Sequence, residues 1–487
     1  MANLKALLKD TAIYGMSSII GRFLNYLLVP LYTYVFTAKG GSYGIVTNLY
    51  AYVALILVIL TFGMETTFFR FANKEGENPH CVFSTSLFIV GTLTAAFLAI
   101  IFGFIDEISA IIGYGDHKEY ILLMACVVAL DAIQAIPFSY LRYKKKAIKF
   151  ASLKLLFIMM NIGLNILVFV HLGITDVLYV FLLNLACTGL ITFFFIPEFA
   201  HEHVEARQYC RERNIPFHIV DTSLLRRMFS YSWPILVLGI AGILNQTLDK
   251  MLFPLVYPDK TTAMSELAIY GGCVKIAMIM AMITQAFRYA YEPIVFAKSK
   301  DSDKKEYYSA AMKYFVIFTL FAFLCVIGYM PLLERIIDVN YREGLRIVPI
   351  VMVAEIMMGI YFNLSFWYKL IDRTIYGAWF SGAGCLMLIL VNVVFIPEYS
   401  YTACAWGGVA GYGTAMLLSY LIGQRKYPID YQLPRLMTYV LATVALYCVM
   451  SLVTEDLNAL PRMAANTALI VAYLALFVVL ERPHIRK

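Results

Sequence analysis

The chain has 487 residues, of which 61% are hydrophobic and only 15% are charged, and its formal net charge is +7. Soluble domains average about 25% charged residues, so this composition leaves little room for a soluble domain. The basic residues are scattered over separate short segments. This argues against a nucleic-acid partner, which needs basic residues clustered on one face.

Fourteen long apolar segments follow one another along the chain. A helix needs about 20 apolar residues to cross ~30 Å of hydrocarbon, and backbone polar groups in lipid must be hydrogen-bonded internally. The sequence therefore predicts an all-α integral membrane protein with 14 transmembrane helices. Their predicted positions are residues 11–36, 43–72, 82–105, 119–140, 151–172, 176–196, 228–256, 265–297, 309–332, 346–368, 374–396, 402–424, 436–454 and 463–481. Internal prolines predict kinks at Pro30, Pro137, Pro234, Pro293 and Pro349.

Lysine and arginine are divided unequally between alternate loops. Of the 39 basic residues, 26 fall in the termini and loops of one predicted side, seven on the other side and six within the helices. Cytoplasmic loops of membrane proteins carry the excess of Lys and Arg. We therefore expect both termini, and the loop at 197–227, on the cytoplasmic side.

A weak internal repeat suggests two halves. Tyr43-Gly44 matches Tyr270-Gly271 at an offset of 227, and Tyr143-Lys144 matches Tyr368-Lys369 at an offset of 225. Parallel repeats of this kind place a substrate site between the halves, near the midplane. The predicted organisation is an N-terminal six-helix lobe (1–196), a cytoplasmic linker (197–227), a C-terminal six-helix lobe (228–424), and helices 13 and 14 (425–487). The linker contains His201, Glu202, His203 and Cys210, and we interpret it as a solvated segment rather than a zinc site.

Charged side chains within the apolar segments are the candidate functional residues, because a charge at the bilayer centre costs about 2.5–3.5 kcal/mol. Buried cations facing a cavity suit an anionic ligand such as phosphate or pyrophosphate. Candidates for a cationic substrate-binding cavity are Arg22, Asn25, Lys250, Lys275 and Arg288. Candidates for ion coupling or charge pairing are Asp249, Glu292, Glu355 and Asp131.

Several of these residues have a structural alternative. Asp249 is also suited to pair with a cation for stability, and Lys275 to extend toward the membrane surface. Lys154 and Lys313 are expected to extend toward the inner surface. The nine cysteines are spread singly with no C-x-x-C pair, so we expect neither a metal site nor a disulfide framework. The G-x-x-x-x-G-K-[ST] loop is also absent, so we expect no ATP hydrolysis by this chain. We also expect no cofactor and no enzymatic activity.

Short motifs in the first, second and seventh helices carry a family resemblance. They are Gly21-Arg22, Pro30-Leu31-Tyr32, Tyr43-Gly44, Gly63, Arg70-Phe71, Tyr231-Ser232-Trp233-Pro234 and Asp249-Lys250. With these motifs the chain resembles Wzx-type oligosaccharide flippases, the polysaccharide-transporter branch of the multidrug/oligosaccharidyl-lipid/polysaccharide exporter superfamily. A departure is Gly40-Gly41 in the first outer loop, where relatives often carry Pro-Glu.

This resemblance implies two six-helix lobes around a central cavity that opens to either side in turn. It implies a bacterial inner-membrane protein that moves undecaprenyl-pyrophosphate-linked oligosaccharide, such as an O-antigen or capsule repeat unit, to the periplasmic leaflet. Arg22 matches the family's first-helix Arg, whereas Lys250, Lys275 and Arg288 follow from helix position alone. The expected partners are the lipid-linked oligosaccharide, membrane lipids and a polysaccharide polymerase, with coupling to protons or sodium left open.

Three alternatives remain. A multidrug extruder of the same superfamily would favour acidic cavity residues. Asp131 and Glu355 are compatible with this alternative, whereas the six cations within the helices argue against it. A lipid II flippase is a second alternative. A membrane enzyme of polysaccharide assembly is the third, but it would normally carry a large outer loop with paired carboxylates.

Overall fold

The computed structural model describes residues 27–212, 222–297, 304–371, 373–452 and 457–485, and every regular element in these ranges is helical. Within these ranges, twelve helical segments are long and apolar enough to cross a membrane. This confirms the predicted all-α membrane fold. Most of the predicted first helix, including Arg22 and Asn25, lies outside the described residues.

The contacts divide the protein into two units between Leu267 and Ala268, and residues 37–39 belong to the second. The division does not fall at the predicted linker, since the helix Thr222–Val256 lies in unit 1. The six-plus-six arrangement of lobes therefore stays a prediction.

Unit 1 is built from ten helices within its described residues, and the first five residues of an eleventh. They are α1 (Leu28–Val35), α2 (Ser42–Thr61), α3 (Met64–Ala72), α4 (Pro79–Gly103), α5 (Ile105–Ile111), α6 (Lys118–Tyr143), α7 (Ala147–Ile166), α8 (Leu178–Phe193), α9 (Ile196–Glu212), α10 (Thr222–Val256) and the start of α11 (Ala263–Ala297). A π-helical turn, Leu167–His171, extends α7.

The predicted helix at 43–72 is two helices, because the backbone turns between α2 and α3. Phe62 and Gly63 are both left-handed, with φ of 51° and 67°. A Cβ atom on Gly63 would lie 2.8 Å from the Ile235 side chain, so only glycine suits this turn and the close approach of α10. The Thr67 and Ser232 hydroxyls lie 2.5 Å apart, which fixes α3 against α10.

The described parts of the predicted linker, 197–212 and 222–227, are helical rather than a solvated loop. Within α9, Glu202 is only 1% exposed. Its carboxylate lies 2.5 Å from Nδ1 of His80 and accepts a hydrogen bond from the Tyr140 hydroxyl. Sequence reasoning missed this burial because the partners come from α4 and α6, distant in the chain.

Basic loops gather at one end of unit 1. Arg142 lies 3.0 Å from Glu65, Tyr143 donates to the Ala72 carbonyl, and Lys149 pairs with Glu198. The charge asymmetry predicts the cytoplasmic side for all of these segments.

Unit 2 contains the rest of α11 and eight further helices within its described residues. They are α12 (Lys304–Gly328), α13 (Met330–Leu333), α14 (Val348–Leu364), α15 (Phe366–Leu370), α16 (Ile375–Tyr399), α17 (Tyr401–Lys426), α18 (Leu433–Leu452) and α19 (Ala459–Ile485). A 3₁₀ segment, Val339–Ile347, precedes α14, so Pro349 lies in the first turn of that helix and not in its interior. In the first turn the missing N–H of proline costs least, because the N–H groups there have no partner within the helix.

Close packing in unit 2 depends on glycines and a buried indole. A Cβ atom on Gly384 of α16 would lie 2.6 Å from the Gly411 carbonyl oxygen of α17. Trp367 of α15 is buried and donates to the Ser419 carbonyl at 3.1 Å. In unit 1, four residues before α11 begins, Asp259 accepts hydrogen bonds from the Thr261 and Thr262 hydroxyls, which lower the pKa of its carboxyl group.

Candidate functional site

A narrow cleft in unit 2, here called the Arg288 cleft, brings a predicted cation together with polar and aromatic side chains. The guanidinium carbon of Arg288 lies 4.8 Å from the ring centroid of Phe362, within cation–π range. Helices α11, α12, α14 and α15 supply the lining residues, which are Thr284, Phe287, Arg288, Tyr291, Phe315, Gly359, Phe362, Asn363, Ser365, Phe366 and Lys369.

Two polar atoms of this cleft are buried without a hydrogen-bond partner among the described residues. They are Oγ1 of Thr284 and Oδ1 of Asn363. The amide nitrogen of Asn363 does donate, to the Gly359 carbonyl at 3.0 Å. Buried polar atoms are nearly always paired in folded proteins, so these two are placed to bond to water or to a ligand.

The cleft is small in the described conformation. Its free space is about 10 Å³, about the minimum for a single water molecule. Phe315 closes one wall, since a Cβ on Gly359 would lie 2.2 Å from its ring. A phosphate-sized group therefore requires side chains or helices of the cleft to move.

The cleft contains a second cation, Lys369, which the sequence analysis had counted only among the basic loop residues that indicate the cytoplasmic side. Lys369 follows the last predicted residue of the tenth helix, and its ammonium nitrogen lies 4.9 Å from the Phe366 ring centroid. A guanidinium and an ammonium group lining one cleft suit an anion. The Tyr368-Lys369 pair of the internal repeat was the one signal that could have pointed to it.

Lys275 is not part of this cleft. It lies thirteen residues before Arg288 on the continuous helix α11. At 1.5 Å per residue the two Cα atoms are about 20 Å apart along the axis, and at 3.6 residues per turn they lie on nearly opposite faces. The two cations therefore do not bind one phosphate group from this helix in the described conformation.

In unit 1 the predicted residues Asp249 and Lys250 form a partly buried ion pair. The Lys250 ammonium lies 3.0 Å from the Asp249 carboxylate and also donates to the Gln246 carbonyl at 3.0 Å. Asn48 donates to the Lys250 backbone carbonyl at 2.8 Å and accepts from Tyr114 at 2.9 Å. These hydrogen bonds fix α10 against α2, which gives Asn48 a structural role.

The other predicted residues are dispersed. Asp131 is half-buried on α6, close to the charge of Lys154, and Glu355 is half-buried on α14. Glu292 lies within α11, but its side chain is outside the described residues, as are Arg22 and Asn25.

A comparison with known protein families matches residues 7–297, more than half of the chain, to the family described as Polysacc_synt, polysaccharide biosynthesis protein. The chain belongs to this family. No curated protein matches the chain.

Solved structures of transporters share the fold. The structure titled "Lipid II flippase MurJ, inward closed conformation" has a TM-score of 0.72 at 16% identity, over 98% of this chain and 100% of that chain. An inward-facing multidrug resistance MATE family transporter of the MOP superfamily has a TM-score of 0.64 at 12% identity, over 83% and 94%. A MOP superfamily transporter from Pyrococcus furiosus gives 0.51 at 13%, over 86% and 95%. At these identities the likeness establishes the fold alone.

Proposed function

We propose that this member of the polysaccharide biosynthesis family flips undecaprenyl-pyrophosphate-linked oligosaccharide repeat units from the cytoplasmic to the periplasmic leaflet of the bacterial inner membrane. It works by alternating access, during surface polysaccharide biosynthesis. Family membership supports the biosynthetic context, and the fold shared with transporters supports movement of a cargo across the membrane. The observation that carries the proposal to a pyrophosphate cargo is the pair of cations in the Arg288 cleft.

Each polar group of the cleft has a role in this proposal. The planar guanidinium of Arg288 offers paired donors to phosphate oxygens, whereas Lys369 supplies a mobile point charge. The Thr284 hydroxyl, buried without a partner among described residues, is positioned to donate to the same anion. Because the free space is about 10 Å³, the cleft must open when it binds the cargo and close again after release.

A second candidate function is extrusion of cationic drugs, favoured by the shared fold with the MATE family transporter at a TM-score of 0.64. Cation binding would rely on acidic side chains such as Asp131 and Glu355. The cations of the Arg288 cleft disfavour it, because like charges repel a cationic ligand.

The full-length protein tests both functions in bacteria whose own surface-polysaccharide flippase has been deleted. The proposed function predicts restored surface polysaccharide and no change in resistance to cationic drugs. Raised drug resistance without restored polysaccharide would favour the extruder and contradict the proposal.

A further inference from the structure

A strongly basic pocket lies at one end of unit 1 and shares no lining residue with the Arg288 cleft. It forms where the last turn of α3 and the following loop face the first turns of α10. Its volume is about 590 Å³, within the usual range for small-molecule sites. Four cations and two aromatic rings line it, namely Arg70, Lys74, Arg226, Arg227, Phe71 and Tyr231.

Among the described residues, only one of the four cations of this pocket has a carboxylate partner. Arg227 pairs with Glu77, whose side chain is 13% exposed. Among the described residues, no carboxylate lies within ion-pair distance of Arg70, Lys74 or Arg226. Three positive charges in one pocket repel one another, and an anion bound among them would remove that repulsion.

One of these cations is held in a fixed position. The guanidinium carbon of Arg70 lies 4.0 Å from the ring centroid of Tyr231, and Tyr231 in turn packs against Phe71 at 6.1 Å. A guanidinium stacked on an aromatic face keeps its N–H donors in the plane of the group, directed away from the ring. This geometry suits bidentate hydrogen bonding to phosphate oxygens.

An apolar stripe leads away from the pocket along α10. Phe229, Trp233 and Val237 follow one another at four-residue intervals and are 43%, 55% and 44% exposed. Residues at this spacing lie on the same side of a helix, and Arg226 is one turn before Phe229 and Ser230. A charged pocket that continues into an exposed apolar stripe matches a ligand with an anionic head and a hydrocarbon tail.

We propose that this pocket binds the pyrophosphate head of the polyprenyl-linked cargo at the membrane surface, with the polyprenyl chain along the α10 stripe. The inference rests on the proposed function and adds to it a capture site separate from the Arg288 cleft. The charge asymmetry predicts that the pocket faces the cytoplasm, the side from which the cargo is taken. The pyrophosphate group carries more negative charge than a phospholipid phosphodiester. This fits a pocket in which three cations have no carboxylate partner within the part of the chain that the structure describes.

The test measures binding of undecaprenyl pyrophosphate to the full chain in nanodiscs of zwitterionic lipid. Arg226→Ala is the principal variant, because Arg226 is exposed and has no ion pair or side-chain hydrogen bond with a described residue. Arg70→Gln is the second variant, and Lys146→Ala is the control, since Lys146 is an exposed cation at the same end of unit 1. We expect each pocket variant to weaken binding about tenfold, as the loss of one charge-assisted hydrogen bond does, and the control to bind as the wild type does.

Three results would overturn this inference. They are unchanged binding by both folded pocket variants, an equal loss in Lys146→Ala, and displacement of the probe by phosphatidylglycerol at membrane concentrations, which would make the pocket an anionic phospholipid site. Flipping by the wild type is measured in parallel. A wild type that flips the cargo while the pocket variants bind normally contradicts the capture site alone, whereas a wild type that neither binds nor flips it contradicts the proposed function itself.

Discussion

The ammonium nitrogen of Lys313 lies 2.9 Å from a carboxylate oxygen of Glu481, and both side chains are buried. Arg435 approaches the other oxygen of that carboxylate at 3.1 Å, and the Tyr439 hydroxyl donates to it at 3.2 Å. One carboxylate therefore joins α12, α18 and α19. This network attaches the last two predicted transmembrane helices to the rest of unit 2.

We expect Glu481→Gln to destabilise the protein strongly, because it leaves Lys313 as a buried charge without its counterion. Breaking a buried ion pair on one side costs about 3–5 kcal/mol. The pair Lys313→Met and Glu481→Leu, made together, should cost less than the sum of the two single changes. Thermal unfolding in detergent measures this coupling, and Lys426→Ala, at an exposed cation of unit 2, is the control. Additive losses would show that the two residues do not stabilise one another.

The second prediction concerns Arg288. Arg288→Ala should lower the rate of glycan export about ten- to a hundredfold, since a hydrogen bond to a charged group contributes about 1.5–3 kcal/mol. Arg288→Lys should recover only part, because lysine cannot donate two parallel hydrogen bonds. Export per molecule is measured in cells, with protein abundance from immunoblots. Full export by the Ala variant would remove Arg288 from the site, and equal loss in Lys426→Ala would point to a general charge effect.

The third prediction concerns topology. In a functional background without native cysteines, Gly115→Cys should react with a membrane-impermeant maleimide added outside intact cells, and Lys146→Cys should not. Both positions are exposed loop residues, and only the predicted side of the membrane differs. A permeant maleimide that labels both variants is the control. Labelling of Lys146→Cys from outside would overturn the orientation derived from the basic residues.

The fourth prediction concerns energy coupling through Asp249. Asp249→Asn should leave cargo binding intact and abolish cargo-dependent proton or sodium flux. The neutral side-chain amide at position 249 can neither pair with Lys250 nor bind a proton or sodium ion in its place. The starting geometry is the 3.0 Å ion pair between them. Asp106→Asn, at an exposed carboxylate, is the matched control. If the wild type itself shows no flux, removal of the product by polymerisation outside becomes the driving force, and Asp249 is a structural partner.

The helices could be predicted from the sequence because the backbone N–H and C=O groups of each apolar segment must form hydrogen bonds within that segment in lipid. It could not predict the turn at Phe62–Gly63, since that turn depends on the approach of Ile235 from a helix far along the chain. The helical character of 196–212 was missed for the same reason, because the buried Glu202 has His80 and Tyr140, which are distant in the chain, as hydrogen-bond partners.

The candidate sites show the same limit. Position within an apolar segment identified Arg288, but it could not show that Lys369 lines the same cleft or that Lys275 lies far along the helix. Arg226 was recognised only as a charge that sets the topology, and Arg70 only as such a charge and as part of the family resemblance. Their shared pocket depends on the packing of α3 against α10, which the sequence does not display.

The most direct test of the proposed function is reconstitution of the full-length protein in proteoliposomes that contain undecaprenyl-pyrophosphate-linked oligosaccharide in one leaflet. An impermeant glycosidase or lectin then measures how much cargo reaches the opposite leaflet. The proposed function predicts transfer that depends on the protein, is strongly reduced in Arg288→Ala and is unchanged in Lys426→Ala. The protein is supplied first with a proton gradient and then with a sodium gradient. If the folded protein transfers cargo no faster than protein-free liposomes under either gradient, the proposed function is contradicted.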